Sequence, residues 1–535
     1  MNKSKRFLFT LSIMLIISLF LGACSGAKET DSKKKDSGAT GQKELVFGRG
    51  GDSTSLDPAT TTEGESFKVT ENIFEKLINF GEGNTELEEG LALDWEMSED
   101  GLVYTFNLRE GVKFHDGTDF NAEAVVYNFE RWIKGNTGVS GDDTPFPYFQ
   151  SQFGDIIKEV KAVEEYKVQF TLNRPQAVFL KNLAMSPFVI ASPTALEKHG
   201  DKFSEHPVGT GPFKFIEWKR NDKIVIEKFE DYWMEGYPKL DRIIFRSIPE
   251  NSARLNALKT GEVDLIDGVN FSDVPQIKED ANLQIFSRPS LNVAYLGLTA
   301  TRGPLTDKKV RQALNYAVDK ETLITAFYEG YAQPAKNPMP PVIAGYNDKI
   351  EDYPFDLEKA KELLTEAGYP DGFEMELWAM PVPRDYMPDG QKVAEAIKSN
   401  FEKIGVKVKI VSYEWGTYLE KAAAGEADSF LLGWTGDNGD ADNFLYVLLD
   451  EDNIGTNNYT YYKNSELHQI LIEAQAEVDE GKREELYQKA QEIIKDDAPW
   501  IPLVHSEPVL AGSANITGLT LQPTGSDKLH KAEFK

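Results

Sequence analysis

The chain has 535 residues, 41% apolar and 11% aromatic, which is more than one hydrophobic core can absorb, so two or three lobes are expected. Its formal net charge of −29 argues against nucleic acid as a partner and against close docking of the folded body on an anionic membrane. The single cysteine, Cys24, excludes a disulfide framework.

The first residues, MNKSKRFLFTLSIMLIISLFLGAC, place Lys3, Lys5 and Arg6 before an apolar run from Phe7 to Leu21. That is the pattern of a secretory signal, and the run is shorter than the roughly 20 apolar residues a permanent span needs. Leu21-Gly22-Ala23-Cys24 looks like a bacterial lipobox. Residues 1–24 are therefore expected to be a lipoprotein signal peptide ending at Cys24. Lipidation of that cysteine would anchor the protein to the outer face of the cell membrane and leave no thiol for metals or catalysis. Residues 25–43 contain no aromatic or large aliphatic side chain and are expected to form a flexible tether.

Farther along, GRGGDS (Gly48–Ser53) has Ser53 where a dinucleotide fingerprint needs its third glycine, and is expected to be a strand-to-turn connection. Strands are predicted at Lys167–Leu172, Asp222–Phe229, Leu240–Ile248, Val293–Leu298 and Val406–Tyr413, each rich in β-branched or aromatic residues. Between them lie amphipathic helices. Asp356 can cap one whose apolar face is Ala360, Leu363, Leu364 and Ala367, and Gly368 with Pro370 stops it. Val393, Ile397, Phe401 and Ile404 recur at helical spacing before Gly405. The chain is thus mixed α/β, with no fixed-period repeat.

The most unusual stretch is LLGWTGDNGDADNFLY, Leu431–Tyr446, where an apolar strand runs into Asp437, Asp440 and Asp442. A calcium loop wants oxygen ligands at positions 1, 3 and 5. Starting at Asp437, position 3 is Gly439, and starting at Asp440, position 5 is Phe444, so neither register fits. No G-x-S-x-G, H-E-x-x-H, G-x-x-x-x-G-K-[ST] or C-x-x-C motif occurs, and the six histidines are scattered. No catalytic residue, no metal ligand and no cofactor is expected.

Four segments together resemble the extracellular solute-binding proteins of peptide ABC importers, solute-binding protein family 5. They are Leu91–Arg131, containing LREGVKFHDG; HPVGTGPFKF, His206–Phe215; LNALKTGEVDLI, Leu255–Ile266; and DKKVRQALNYAVDKETLI, Asp307–Ile324. The likeness spans essentially the whole mature chain. It implies an α/β, two-lobed, periplasmic-binding-protein-like clamshell with an extra inserted domain in the N-terminal lobe. Lobe I is expected to comprise residues 44–80, 205–288 and 508–535, the inserted domain 81–204, and lobe II 289–507. A monomer that hands its ligand to a membrane permease is implied as well.

Two further segments bear on the ligand. GWTGDNGDADNF, Gly433–Phe444, resembles the dipeptide-binding branch, in which the aspartate corresponding to Asp437 holds the ligand's α-ammonium. AMPVPRDYMPDGQ, Ala379–Gln391, resembles the segment whose arginine, here Arg384, receives the α-carboxylate, with Tyr386 beside it. The chain departs from that pattern at Asp385 and Ala441, where the family usually has proline. The extra charge of Asp385 makes the carboxylate grip the less secure of the two.

Trp434 and Tyr386 are candidates for the pocket walls, and Gly436, Thr54 and Ser55 for main-chain contacts with an extended ligand. Asp440 and Asp442 are expected to stabilise the turn. The physical logic is that an extended dipeptide carries opposite charges about 6–7 Å apart. A guanidinium fork suits the carboxylate, and leaving either terminus unpaired in a dry site costs several kcal/mol. The same scaffold admits glutathione, an oligopeptide, haem or a nickel chelate, and an anchored extracellular hydrolase is the reading from another class.

Overall fold

The computed structural model of the chain describes residues 43–134 and 146–535. The expected signal peptide, Cys24 and residues 25–42 of the tether lie outside the described residues. Among the described residues, no helix is long and apolar enough to cross a membrane.

Two large sheets form a two-lobed α/β clamshell. The first lobe is built on seven strands in the order Leu283–Ser287, Val509–Ser513, Leu265–Ile266, Glu44–Arg49, Arg242–Ser247, Lys223–Lys228 and Phe213–Lys219. Glu44–Arg49 runs parallel to both of its neighbours, and the outer pairings are antiparallel. The second lobe has six strands in the order Ala332–Pro334, Trp500–Ser506, Asn292–Leu298, Ser429–Thr435, Glu374–Trp378 and Lys407–Val411. Every residue of Asn292–Leu298 and of Trp500–Ser506 is buried, because these central strands are covered on both faces.

A third, four-stranded antiparallel sheet contains Ala92–Met97, Val103–Leu108, Lys167–Leu172 and Ile157–Glu164. Its sequence alternates, and the register places Tyr104 opposite Phe170 and Phe106 opposite Val168, so the apolar faces of the two middle strands coincide. The helix Ala122–Ile133 covers that face, with Phe129 edge-on to Phe170 at 4.8 Å between ring centres. Each of the three sheets therefore carries its own hydrophobic core, as a chain of this length requires.

The chain passes between the two large sheets at two places. Ser287 ends a strand of the first and Asn292 begins one of the second; Ser506 ends a strand of the second and Val509 begins one of the first. The connections touch, since the Arg288 N–H donates to the Pro508 carbonyl at 2.8 Å. Two short adjacent linkers are the geometry of a hinge.

Local readings of the sequence are matched closely. The strand predicted at Lys167–Leu172 has those limits, and Val406–Tyr413 shortens to Lys407–Val411. Asp356 caps Leu357–Glu366 by accepting from the Glu358 and Lys359 N–H groups, and Gly368 follows the helix with φ +88°.

Candidate functional site

A cavity of about 980 Å³ opens where the second lobe faces the four-stranded unit and the first lobe. Tyr148, Arg174, Gln176 and Asn182 come from the side of the four-stranded unit, Thr62 and Gly64 from the first lobe, and Arg384, Tyr386, Trp434, Asp437 and Asp442 from the second. The walls meet beside it. Lys181 Nζ donates to the Gly439 carbonyl at 2.9 Å, and Asn438 Nδ2 to Asn182 Oδ1 at 2.8 Å.

The strand Ser429–Thr435 delivers Trp434 and, just past its end, Asp437. Asn443, at the start of the next helix, organises both. Its Oδ1 accepts from Trp434 Nε1 at 2.9 Å and from the Asp437 N–H at 3.1 Å, while its Nδ2 donates to Asp437 Oδ2 at 3.4 Å. Tyr148 OH reaches across the cavity to Asp437 Oδ1 at 3.5 Å. Among the described residues, no lysine or arginine nitrogen lies within ion-pairing distance of Asp437. Burial therefore pushes its carboxyl up to about 6, and the hydrogen bonds from Asn443 and Tyr148 offset that only in part.

Arg384 sits on a tight turn closed by paired backbone bonds, Arg384 N–H to Met387 O at 3.0 Å and Met387 N–H to Arg384 O at 2.8 Å. The side chain is exposed, donates to the Pro383 carbonyl at 3.1 Å and lies 5.7 Å from the Trp415 ring centre. No carboxylate oxygen among the described residues lies within salt-bridge distance of it. Its neighbour Asp385 interacts electrostatically with Arg288 and Lys68 of the first lobe as well as with Arg384, so its charge is shared rather than aimed at Arg384 alone.

Tyr386 lies flat on the strand at Gly433. A Cβ at 433 would come 2.3 Å from the tyrosine Cδ2, so only glycine lets the ring pack there. Burial raises the phenol to about 12, which keeps it neutral.

The remaining sequence candidates are placed elsewhere. Gly436 donates its N–H to the Leu291 carbonyl at 2.7 Å, and Thr54 and Ser55 direct their N–H groups to Ser66 Oγ at 3.1 and 3.3 Å. None of the three is among the residues lining the cavity, because their donors are already used inside the fold. Asp440 holds the turn as expected: it accepts from the Asp442 N–H at 3.0 Å and takes a bidentate grip from Arg483 at 2.7 and 2.8 Å. Burial works to raise its carboxyl, but the Arg483 pair overrides this and holds it at about 2. Asp442 caps nothing and faces the cavity, where burial and then the Asp440 charge raise it to about 7.

Sequence reasoning missed Tyr148, Asn443 and Gln475. Only Asn443 had a local signal, since it sits inside the aspartate-rich stretch. As for metals, Asp450, Asp452 and His468 bring potential ligand atoms within 4.8 Å of one another. His468 Nδ1 lies 3.1 Å from both Asp450 oxygens, an ion-pair geometry that accounts for the grouping without an ion.

Residues 86–456 match the family described as bacterial extracellular solute-binding proteins, family 5 middle. Over 96% of both chains this protein is 39% identical to the heme-binding protein A of Haemophilus influenzae. It is also 39% identical to the dipeptide-binding protein of Escherichia coli K12, over 90% of this chain and 93% of that one. Among solved structures, it is similar to a periplasmic binding protein, DppA, from Helicobacter pylori in complex with the peptide STSA. There the identity is 38%, the TM-score 0.79, and the coverage 92% of this chain and 98% of the other.

Proposed function

Because the chain belongs to family 5 of the bacterial extracellular solute-binding proteins, we propose that it is the lipid-anchored binding component of an ABC importer. It captures short peptides, dipeptides first, in the cleft between its lobes and delivers them unchanged to a membrane permease. Asp437 pairs with the ligand's α-ammonium and Arg384 with its α-carboxylate, while Trp434 and Tyr386 wall the side-chain space. The observation that carries this reading is that one cavity is lined by an aspartate and an arginine of opposite charge, neither held in a salt bridge among the described residues. Each is a charge for which the ligand is the natural counterpart.

The mechanism proposed is closure about the linkers 288–291 and 507–508, with 44–80, 205–288 and 508–535 as one lobe, 289–507 as the other and 81–204 as the inserted domain. A shift from mostly open to mostly closed needs about 5.5 kcal/mol of differential affinity. Two desolvated charge pairs are of that order. Lipidation at Cys24 would hold the carrier at the outer face of the membrane. Metabolic labelling with palmitate, lost in Cys24→Ala, tests that anchor.

The test of the ligand is titration calorimetry with free dipeptides, alongside mass spectrometry of whatever the purified protein releases on denaturation. Asp437→Ala and Arg384→Ala should each abolish retention, and recovered peptide should be intact. Undiminished binding in both variants would remove the proposed site, and turnover of the peptide would favour the hydrolase. A second reading, haem, is favoured by the equal identity to heme-binding protein A and by a cavity of about 980 Å³, more space than two residues require. The cavity lining includes no histidine among the described residues, and the peptide reading therefore stands first.

A further inference from the structure

The cavity has an unbalanced set of charges. Its described lining holds the carboxylates Asp155, Asp437 and Asp442 and the guanidiniums Arg174 and Arg384. Arg174 Nη1 is bonded to both oxygens of Asp155 at 3.0 and 3.1 Å, so that pair cancels. Two carboxylates then face one arginine. A zwitterionic dipeptide with a neutral side chain would satisfy Asp437 and Arg384 and leave Asp442 without a counter-charge.

Asp442 is only 9% exposed. Gln475 Nε2 donates to its Oδ1 at 3.0 Å, and among the described residues the other oxygen has no hydrogen-bond partner. The charged and titratable groups around it are Asp440, Asp450 and Tyr446, with Arg483 and Tyr487 from the helix Glu480–Asp497. Arg483 is the single cation in that set, and both its terminal nitrogens are held by Asp440. A buried carboxylate with a vacant acceptor, opening into a ligand cavity and out of reach of a free cation, is a receptor for a positive group.

We propose that Asp442 is a specificity-determining residue that binds a cationic ligand side chain, so that the site prefers short peptides containing lysine or arginine. This rests on the peptide reading above and narrows it to a substrate class with two ammonium or guanidinium groups and one carboxylate. The acidic protein as a whole would steer such net-cationic ligands toward the cleft. Without a ligand, the Asp442 carboxyl lies at about 7 and is partly protonated near neutrality. A cation can pair only with the ionised form, so binding a basic peptide must expel that proton.

The test compares Ala-Lys and Lys-Ala with their norleucine counterparts, which keep the carbon chain and lack the charge, and with their Nε-acetyl-lysine forms, in which only the side-chain charge is removed. At pH 8.5 at least one lysine peptide should bind about tenfold to a hundredfold more tightly than its norleucine partner, the range for a hydrogen bond to a charged group. The acetyl-lysine form should lose that advantage. The ratio should shrink toward unity by pH 5.5. Asp437 also titrates, but it acts on every peptide's α-ammonium alike and drops out of the ratio. Asp442→Asn should abolish the preference, bringing each lysine peptide to the affinity of its norleucine partner, and the comparison of wild-type ligands holds even if that variant fails to fold. Equal affinities at pH 8.5, or a preference that survives in Asp442→Asn, would overturn the proposal. Failure of every free dipeptide to bind would instead overturn the peptide reading, and this inference with it.

Discussion

Asp437 and Asp440 stand three residues apart in one loop, yet their surroundings drive them in opposite directions. Asp440 is gripped by Arg483 and held at about 2, while Asp437 meets only the neutral donors of Asn443 and Tyr148 and rises to about 6. The difference shows that two carboxylates of a single motif can be given opposite electrostatic surroundings. A buried carboxylate with its own guanidinium holds elements of the fold together, whereas one left without a cation stores unfavourable charge that a ligand can relieve.

The contrast can be broken most severely at the structural member. Arg483→Met strips buried Asp440 of its bidentate partner, leaves it only the 3.6 Å contact of Lys181 and should cost about 3–5 kcal/mol of unfolding free energy, read by denaturant titration. Because the folded Asp440 carboxyl lies below its unfolded value, the stability it contributes is present above about pH 4 and is lost as the pH falls toward 2.

Asp437→Asn should behave in the reverse sense. Dipeptide affinity should fall by about 3 kcal/mol or more, while the unliganded protein becomes more stable by about 1–3 kcal/mol at pH 7.5. A carboxyl raised to about 6 favours the folded state below its unfolded value and loses that contribution as pH rises through 6. The variant's gain should therefore vanish when both proteins are compared at pH 4. Loss of stability at pH 7.5 would show that Asp437 is structural like its neighbour.

A smaller effect is expected at Gly433. A methyl group there displaces the Tyr386 ring, so Gly433→Ala should weaken dipeptide binding about tenfold, with a stability cost of about 1–3 kcal/mol, by calorimetry and thermal melts. Smallest of all, Lys181→Ala removes a partly exposed contact with Gly439 and Asp440 across the cleft. It should change stability by less than about 1 kcal/mol and act on the closed conformation, visible as a modestly faster ligand release.

Much of the secondary structure was legible because its causes are local. The alternation in Lys167–Leu172 and the Asp356 cap need only nearby residues to take effect. The site was legible in part. Asp437, Arg384, Tyr386 and Trp434 were picked out by motif likeness and all line one cavity. Thr54, Ser55 and Gly436 were candidates for main-chain contacts, but whether an N–H is free depends on which acceptor the fold brings to it, here Ser66 Oγ and the Leu291 carbonyl. Tyr148 reaches Asp437 from 289 positions away, Arg483 reaches Asp440 from 43, and Gln475 reaches Asp442 from 33.

The amino-acid sequence by itself determined the class of fold, through periodicity and capping, and the family, through motifs that build the scaffold. It also supplied an acidic chain with several aspartates in one short loop. Only the tertiary structure decided which aspartate received a guanidinium and which were left facing a cavity. A carboxylate's charge state is set by burial and by cations a few ångströms away, and those come from parts of the chain that the local sequence does not mention.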